Sequence, residues 1–163
     1  MKSIRKSLLA LAIMWAGATG LSSQDIPVID FDSFRPIIEQ RNDTVYMVNF
    51  WATWCTPCVE EMPDLLRFAK DMRDSKFRLI LVSLDNPDHM ESRVKPFIKR
   101  FEIEERVILL DDPDANRWIP IVSGEWSGAI PATIFFSDNF RHFHGKKIDY
   151  EGIKEIVVPH LKR

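Results

Sequence analysis

Apolar residues along this chain change their spacing in a regular order. The run "TVYMVNFWA", Thr44 to Ala52, is dense in β-branched and aromatic residues and reads as a buried strand. Behind it Val59, Met62, Leu65, Leu66, Ala69 and Met72 recur at helical spacing, predicting a helix that starts at the cysteines and stays apolar on one face through Asp74. Pro63 removes one backbone donor from that helix and predicts a kink near Val59. "FRLILVSLD", Phe77 to Asp85, predicts a second buried strand, and "RVILLDD" a third, shorter one. Between them "DHME", Asp88 to Glu91, has the form of a capping box, followed by Val94, Phe97, Ile98 and Phe101 on one face. Upstream, Asp32 through Gln40 predicts a first helix capped by Asp32 or Ser33, with Phe34, Ile37 and Ile38 on one side.

The segment from Pro113 to Gly128 is rich in Asp, Asn, Trp, Pro and Gly and predicts a helical turn with a surface loop. "PATIFFSDNFRHFHGKK" reads as a hairpin turning at Ser137-Asp138-Asn139, and Asp149 caps a last helix with Tyr150, Ile153, Ile156, Val157 and Leu161 inward. Strands that alternate with helices imply a parallel portion of sheet, and the hairpin adds an antiparallel portion. The expected fold is an α/β three-layer sandwich with a mixed central sheet.

The first residues change the picture. "MKSIRKSLLALAIMWAGATG" places Lys2, Arg5 and Lys6 before an apolar run from Leu8 to about Ala18, then small residues. That is the order of a secretory signal peptide, with cleavage after Ala18 or Gly20, and the run is short for a membrane span of about 20 residues. An uncleaved anchor is the alternative. The expected organisation is a signal peptide over 1–20, a linker and N-terminal element over 21–42, and one domain over 43–163. With 163 residues, 45% hydrophobic content and eleven phenylalanines, one domain can build a full core. A formal net charge of -2 argues for neither nucleic acid nor an anionic membrane surface as partner, and no nucleic-acid partner is expected.

Export matters because the chain holds only two cysteines, two residues apart in "NFWATWCTPCVEEMP". Outside the cytoplasm such a pair can be oxidised and stay so. A bridge between Cys55 and Cys58 closes almost no loop, so it is a poor staple. Zinc needs four ligands, and a second cysteine pair is absent; His142 and His144 could share one strand face, which alternation on an exposed strand also explains. Redox chemistry is the favoured account, and it calls for no cofactor and no metal.

A strand running into Trp-Cys-x-Pro-Cys at a helix start resembles the thioredoxin superfamily. "GAIPAT", Gly128 to Thr133, resembles that superfamily's cis-proline loop. The extra strand and helix between Cys58 and Pro131, with Glu61 followed by Met62 and Pro63, are similar to the exported TlpA/ResA-like branch. The resemblance covers roughly Asp43 to Leu161. It implies a thioredoxin-like fold with a strand–helix insertion before the cis-proline loop. It also implies an exported thiol–disulfide oxidoreductase that reduces protein disulfides, for cytochrome c maturation or other periplasmic targets, and a membrane thiol–disulfide electron donor as partner. Ordinary thioredoxins carry a buried aspartate where this chain has Asn49, so any carboxylate serving Cys58 comes from elsewhere, and Glu61 is the candidate.

Disulfide exchange needs a thiolate, and a free thiol of pKa about 8.5 supplies little at neutral pH. Cys55 at a helix start meets unpaired N–H groups and the positive end of the macrodipole, both of which favour S⁻. Cys55 is thus the expected nucleophile, and Cys58, one turn deeper, the resolving thiol. Pro57 suits an early helical position that needs no N–H, and Thr56 adds no charge beside Cys55. Trp54 either flanks the site or belongs to the core. Glu61, one turn from Cys58, passes a proton to or from it if buried, and is an ordinary surface residue if not. Within the resemblance, Pro131 lies against the cysteines and the backbone of Ile130 pairs with an extended substrate segment; otherwise Pro131 only begins a strand. Three other activities compete: disulfide oxidase or isomerase, a thiol peroxidase that would use Thr53, and a non-catalytic module that would use exposed aromatics of the Trp118–Trp126 loop.

Overall fold

The computed structural model describes residues 25–162. The signal-peptide expectation falls on 1–20, outside the described residues. Among the described residues no helix is long and apolar enough to cross a membrane.

Six strands form one sheet: β1 (Val28–Ile29), β2 (Val45–Trp51), β3 (Phe77–Ser83), β4 (Arg106–Leu110), β5 (Ala132–Phe136) and β6 (Arg141–His144). Their spatial order is β1-β4-β3-β2-β5-β6. β1, β4, β3 and β2 run parallel, while β5 is antiparallel to β2 and β6 to β5. The parallel portion comes from strand–helix–strand crossovers and the antiparallel portion from the hairpin, as the sequence pattern predicts. β1 was invisible to that pattern. It is two residues long and is held by pairing Val28 and Ile29 with Leu109 and Leu110.

Five helices cover the two faces: α1 (Phe31–Ile38), α2 (Thr56–Asp71), α3 (Lys95–Arg100), α4 (Ala115–Val122) and α5 (Tyr150–Val157). Alternation along the strands sorts the core into two layers. Val45, Met47 and Trp51 of β2 face α2, α3 and α5, together with Cys58, Met62, Leu65, Phe68, Phe97 and Ile153. Val48 and Phe50 face α1 and α4, together with Phe31, Phe34, Ile38, Trp118, Val122 and Trp126. The three-layer sandwich is therefore present, with helices on both sides of a mixed sheet.

Several local expectations shift. The cap of α1 is Asp30, whose carboxylate accepts from the Ser33 N–H at 2.9 Å; neighbouring Asp32 and Ser33 carry the same chemistry, and the pattern could not choose. The "DHME" box does not form. Asn86 caps a 3₁₀ turn over Pro87–His89, a wide turn follows over Met90–Val94, and α3 begins only at Lys95. α2 continues through Pro63, with Phe68 added to its buried face. Asp149 caps α5 as expected, accepting from the Gly152 N–H at 2.9 Å.

The largest difference concerns the segment after β4. Trp118 and Trp126 are buried, not exposed on a loop. Phe50 lies 4.6 Å from Trp126 and 6.5 Å from Trp118, ring centre to ring centre. Each indole N–H finds a carbonyl, Trp118 on Asp112 and Trp126 on Ala129. Aromatic area this large is worth more in a core than in water once its one polar atom is paired, so α4 folds down.

Candidate active site

β2 ends at Trp51, and the chain makes one turn before Cys55 caps α2. The Cys55 N–H bonds back to the Ala52 carbonyl at 3.2 Å, while the Cys55 carbonyl accepts from Val59 N–H at 3.0 Å. Cys55 and Cys58 are joined, with an S–S distance of 2.04 Å. The Cys58 N–H points at Cys55 Sγ from 3.3 Å, one of the otherwise unpaired donors of the first helical turn. An anion formed on that sulfur by reduction would meet a donor already in place.

The residues expected around the pair surround it. Trp54 is 61% exposed, which removes it from the core and leaves it flanking the cysteines. Thr56 and Pro57 are exposed, with Pro57 in the first turn where its missing N–H costs nothing. The Ile130–Pro131 peptide is cis, and the Ile130 carbonyl oxygen lies 3.6 Å from Cys55 Sγ. Cys55 itself is only 5% exposed, so a partner reaches its sulfur at the seam between the α2 start and the Ile130 loop.

Two clamps hold this seam. Asp85, buried at the end of β3, accepts from the Thr53 N–H at 2.9 Å, the Thr53 hydroxyl at 2.6 Å and the Ser83 hydroxyl at 2.9 Å. The Leu84 N–H also donates to the Trp51 carbonyl at 2.8 Å. The Thr53 hydroxyl is thereby turned to Asp85, which counts against its use as a peroxidatic partner of Cys55. On the other side Trp126 Nε1 donates to the Ala129 carbonyl at 2.7 Å, one residue before the cis peptide. Gly128 supplies the turn there at φ 89°, a conformation other residues rarely adopt.

Behind the disulfide lies a buried polar set. Glu61 is 1% exposed. Its Oε1 accepts from Asn49 Nδ2 at 2.8 Å and its Oε2 from the Ile148 N–H at 2.9 Å. Asn49 Nδ2 also donates to Thr133 Oγ1 at 2.9 Å. Burial pushes the Glu61 carboxyl up to about 7, against the opposing pull of the Ile148 and Asn49 donors and of Lys147. That is the range in which a carboxyl can both take and give a proton at neutral pH. Glu60 is exposed and paired with Lys147 at 2.9 Å. The two adjacent glutamates thus separate into a surface residue and a buried one. Among the described residues no group of three His, Cys, Asp or Glu side chains is placed to hold a metal ion.

A family model described as AhpC/TSA matches residues 35–141, most of the chain. The chain belongs to the AhpC/TSA family. Its relatives include the thioredoxin-like protein YneN of Bacillus subtilis, 30% identical over 97 residues that cover 60% of this chain and 56% of YneN. The thiol-disulfide oxidoreductase ResA of Bacillus cereus is 25% identical over 85 residues, 52% of this chain and 47% of ResA. The chain thus spans about half the length of the curated relatives it matches. Among solved structures, a thiol:disulfide interchange protein of the thioredoxin family from Chlorobium tepidum superposes with a TM-score of 0.61 at 23% identity, covering 73% of this chain and 81% of that one. That likeness establishes the thioredoxin-like fold.

Cys55, Cys58, Trp54, Thr56, Pro57, Ile130 and Pro131, the candidates the sequence offers beside Glu61, lie together at one seam. Glu61 stayed undecided from sequence, and four supports of the site did not show there: two for the Glu61–Asn49 set and two for the loops. Thr133 and the Ile148 N–H, which fix Glu61 and Asn49, arrive from β5 and from the approach to α5. Asp85 and Trp126 hold the two loops. "GAIPAT" ended on Thr133, but nothing in the string says which face that threonine takes.

Proposed function

We propose that this chain is an exported thiol–disulfide oxidoreductase that reduces protein disulfides through the Cys55–Cys58 couple. The observation that carries this reading is the joined pair at the start of α2, with a backbone donor on Cys55 Sγ and the cis Ile130–Pro131 peptide beside it. The family and the relatives named thiol-disulfide oxidoreductase support it.

In the reduced chain, Cys55 S⁻ attacks one sulfur of a target disulfide, forming a mixed disulfide and releasing a target thiolate that takes a proton from water. Cys58 then gives its proton to Glu61 and attacks Cys55 Sγ. The second target thiolate leaves, and the Cys55–Cys58 bond remains. Two electrons pass from the pair to the target. The half-buried Ile130 backbone and the exposed indole of Trp54 offer an extended target segment a strand-like edge and an apolar flank. Thr56 supports the reductive direction: with no cation between the cysteines the thiolate is less stabilised, and a less stabilised dithiol is the stronger reductant. A thiol–disulfide electron donor in the membrane would return the pair to the dithiol. The charged and apolar order of residues 1–20 supports export; the working unit begins earlier than the expected boundary at Asp43, because β1 joins the sheet and α1 packs into the core.

Trapping tests the reading. Cys58→Ser should accumulate mixed disulfides with target proteins through Cys55, while Cys55→Ser should accumulate none and lose insulin-disulfide reduction to background. A Cys55–Cys58 reduction potential at the oxidising end of the CxxC range, near that of a disulfide-forming enzyme, would overturn the reductive direction.

A further inference from the structure

Asn49 is fully buried on β2, directly opposite Thr133 of β5. All of its side-chain bonding runs through Nδ2, to Glu61 Oε1 at 2.8 Å and to Thr133 Oγ1 at 2.9 Å. Its Oδ1 is buried and has no hydrogen-bond partner among the described residues. A buried amide oxygen left in that condition is costly, and such atoms are rare in folded proteins.

The arrangement suits one protonation state of Glu61 only. Oε2 is engaged by the Ile148 N–H, a backbone donor that cannot reverse its role. A proton taken up by Glu61 therefore goes to Oε1, the oxygen that faces Asn49 Nδ2. There it would set donor against donor. Half a turn of the carboxamide relieves the clash at Glu61, because Oδ1 has two lone pairs, one for Glu61 Oε1–H and one for Thr133 Oγ1–H, while Nδ2 moves to the side where Oδ1 has no partner.

We propose that Asn49 is a two-way positioning residue for Glu61: its amide nitrogen faces the ionised carboxylate, and its amide oxygen turns to face the protonated one. The inference rests on the reading of Glu61 as the group that takes the Cys58 proton. It adds the reason that a residue unable to move protons occupies this place. A fixed donor would hold Glu61 ionised, an apolar side chain would hold it neutral, and a second carboxylate would repel it. A carboxamide serves both forms, so the proton can arrive and leave without stranding Glu61 unpaired.

Several ionisable groups face this set. Lys147 and Asp149 lie on the approach to α5, and Glu60, beside Glu61 on α2, is turned to solvent and paired with Lys147; Cys58 is held in the disulfide. His144 of β6 is directly opposite Thr133, and its Nε2 has no partner among the described residues. Burial lowers the His144 imidazole from its usual range, against the opposing pull of the Lys147 backbone.

Heteronuclear NMR of the oxidised full chain, from about pH 5 to about pH 9, decides the matter around the Glu61 transition. The Asn49 side-chain amide resonances should move with the same midpoint as the Glu61 carboxyl carbon. In Glu61→Gln they should sit at the acid-side position at every pH, because glutamine presents a fixed N–H donor where the protonated carboxyl presents O–H. Asn49 resonances that stay still while Glu61 titrates would sink this inference and leave the proton role of Glu61 intact. A response that persists in Glu61→Gln would also sink it, assigning the movement to His144. A Glu61 carboxyl that does not titrate would overturn both the inference and the proton role, while trapping through Cys55 remains a separate measurement. Asn49→Leu gives a second reading. If Asn49 serves both forms, the acidity constant of Glu61 changes by less than about tenfold; a one-way charge-assisted donor would give a fall of more than about tenfold.

Discussion

The two faces of the sheet are built from the same strands and reach opposite outcomes. On the α1–α4 face, Phe31, Phe34, Phe50, Trp118 and Trp126 stack on one another, and the only polar side-chain atoms of those five residues, the two indole nitrogens, are each tied to a carbonyl. On the α2–α3–α5 face, the same β2 and β5 strands contribute Asn49 and Thr133, and α2 adds Glu61, all within an otherwise apolar layer under the disulfide. Polar atoms in a core are costly, so a fold that seals one face and leaves such a set in the other marks where chemistry outweighs stability. The dry face is a foundation, and the wet-chemistry face is the instrument resting on it.

Substitutions on the two faces should separate those roles. The largest effect is expected from Phe50→Ala, which removes the ring against Phe34, Trp118 and Trp126 and should cost about 3–5 kcal/mol in denaturant unfolding. In the fraction that folds, the Cys55–Cys58 potential should match wild type; a shifted potential would mean that the dry face tunes the couple.

Glu61→Gln comes next, and its sign depends on pH. The Glu61 carboxyl sits at about 7 in the fold against an ordinary 4.5, so both folded and unfolded chains carry it neutral well below 4.5. As pH rises, the unfolded chain ionises first and the fold loses the stability of holding a neutral carboxyl, until the loss is complete above about 7. Glutamine removes that loss. The variant should match wild type near pH 4 and exceed it by up to about 3 kcal/mol above pH 7, while resolving mixed disulfides about 10–100-fold more slowly. A stability difference independent of pH would place the Glu61 carboxyl in an ordinary, ionised state. Thr133→Val is smaller. It leaves one Asn49 N–H without an acceptor and should cost about 1–2 kcal/mol, with a displaced Asn49 resonance and an unchanged rate of attack by Cys55.

The elements with strong period are legible in the sequence. The β2 run, the α2 stripe, the hairpin and the Asp149 cap all announce themselves through local spacing. The failures share a cause. Asp30, Asp32 and Ser33 offer the same cap chemistry, and only packing of Phe31 and Phe34 against Phe50 and Trp118 fixes which one serves. β1 is too short to show alternation and exists because β4 offers it an edge. Trp118 and Trp126 sit in a polar, glycine-containing stretch that reads as loop, yet partners from α1 and β2 bury them.

By itself the sequence determined the fold class and the reactive pair, because strand and helix periods, helix caps and a Trp-Cys-x-Pro-Cys run depend on neighbours within a few positions. Tertiary structure alone decided the burial of Glu61, the bonding of Asn49 and the two clamps on the seam. Those properties belong to contacts such as Asn49 with Thr133 and Glu61 with the Ile148 N–H. Local preference cannot encode them, since a carboxyl becomes a proton carrier only when distant strands and loops remove its water and choose its partners.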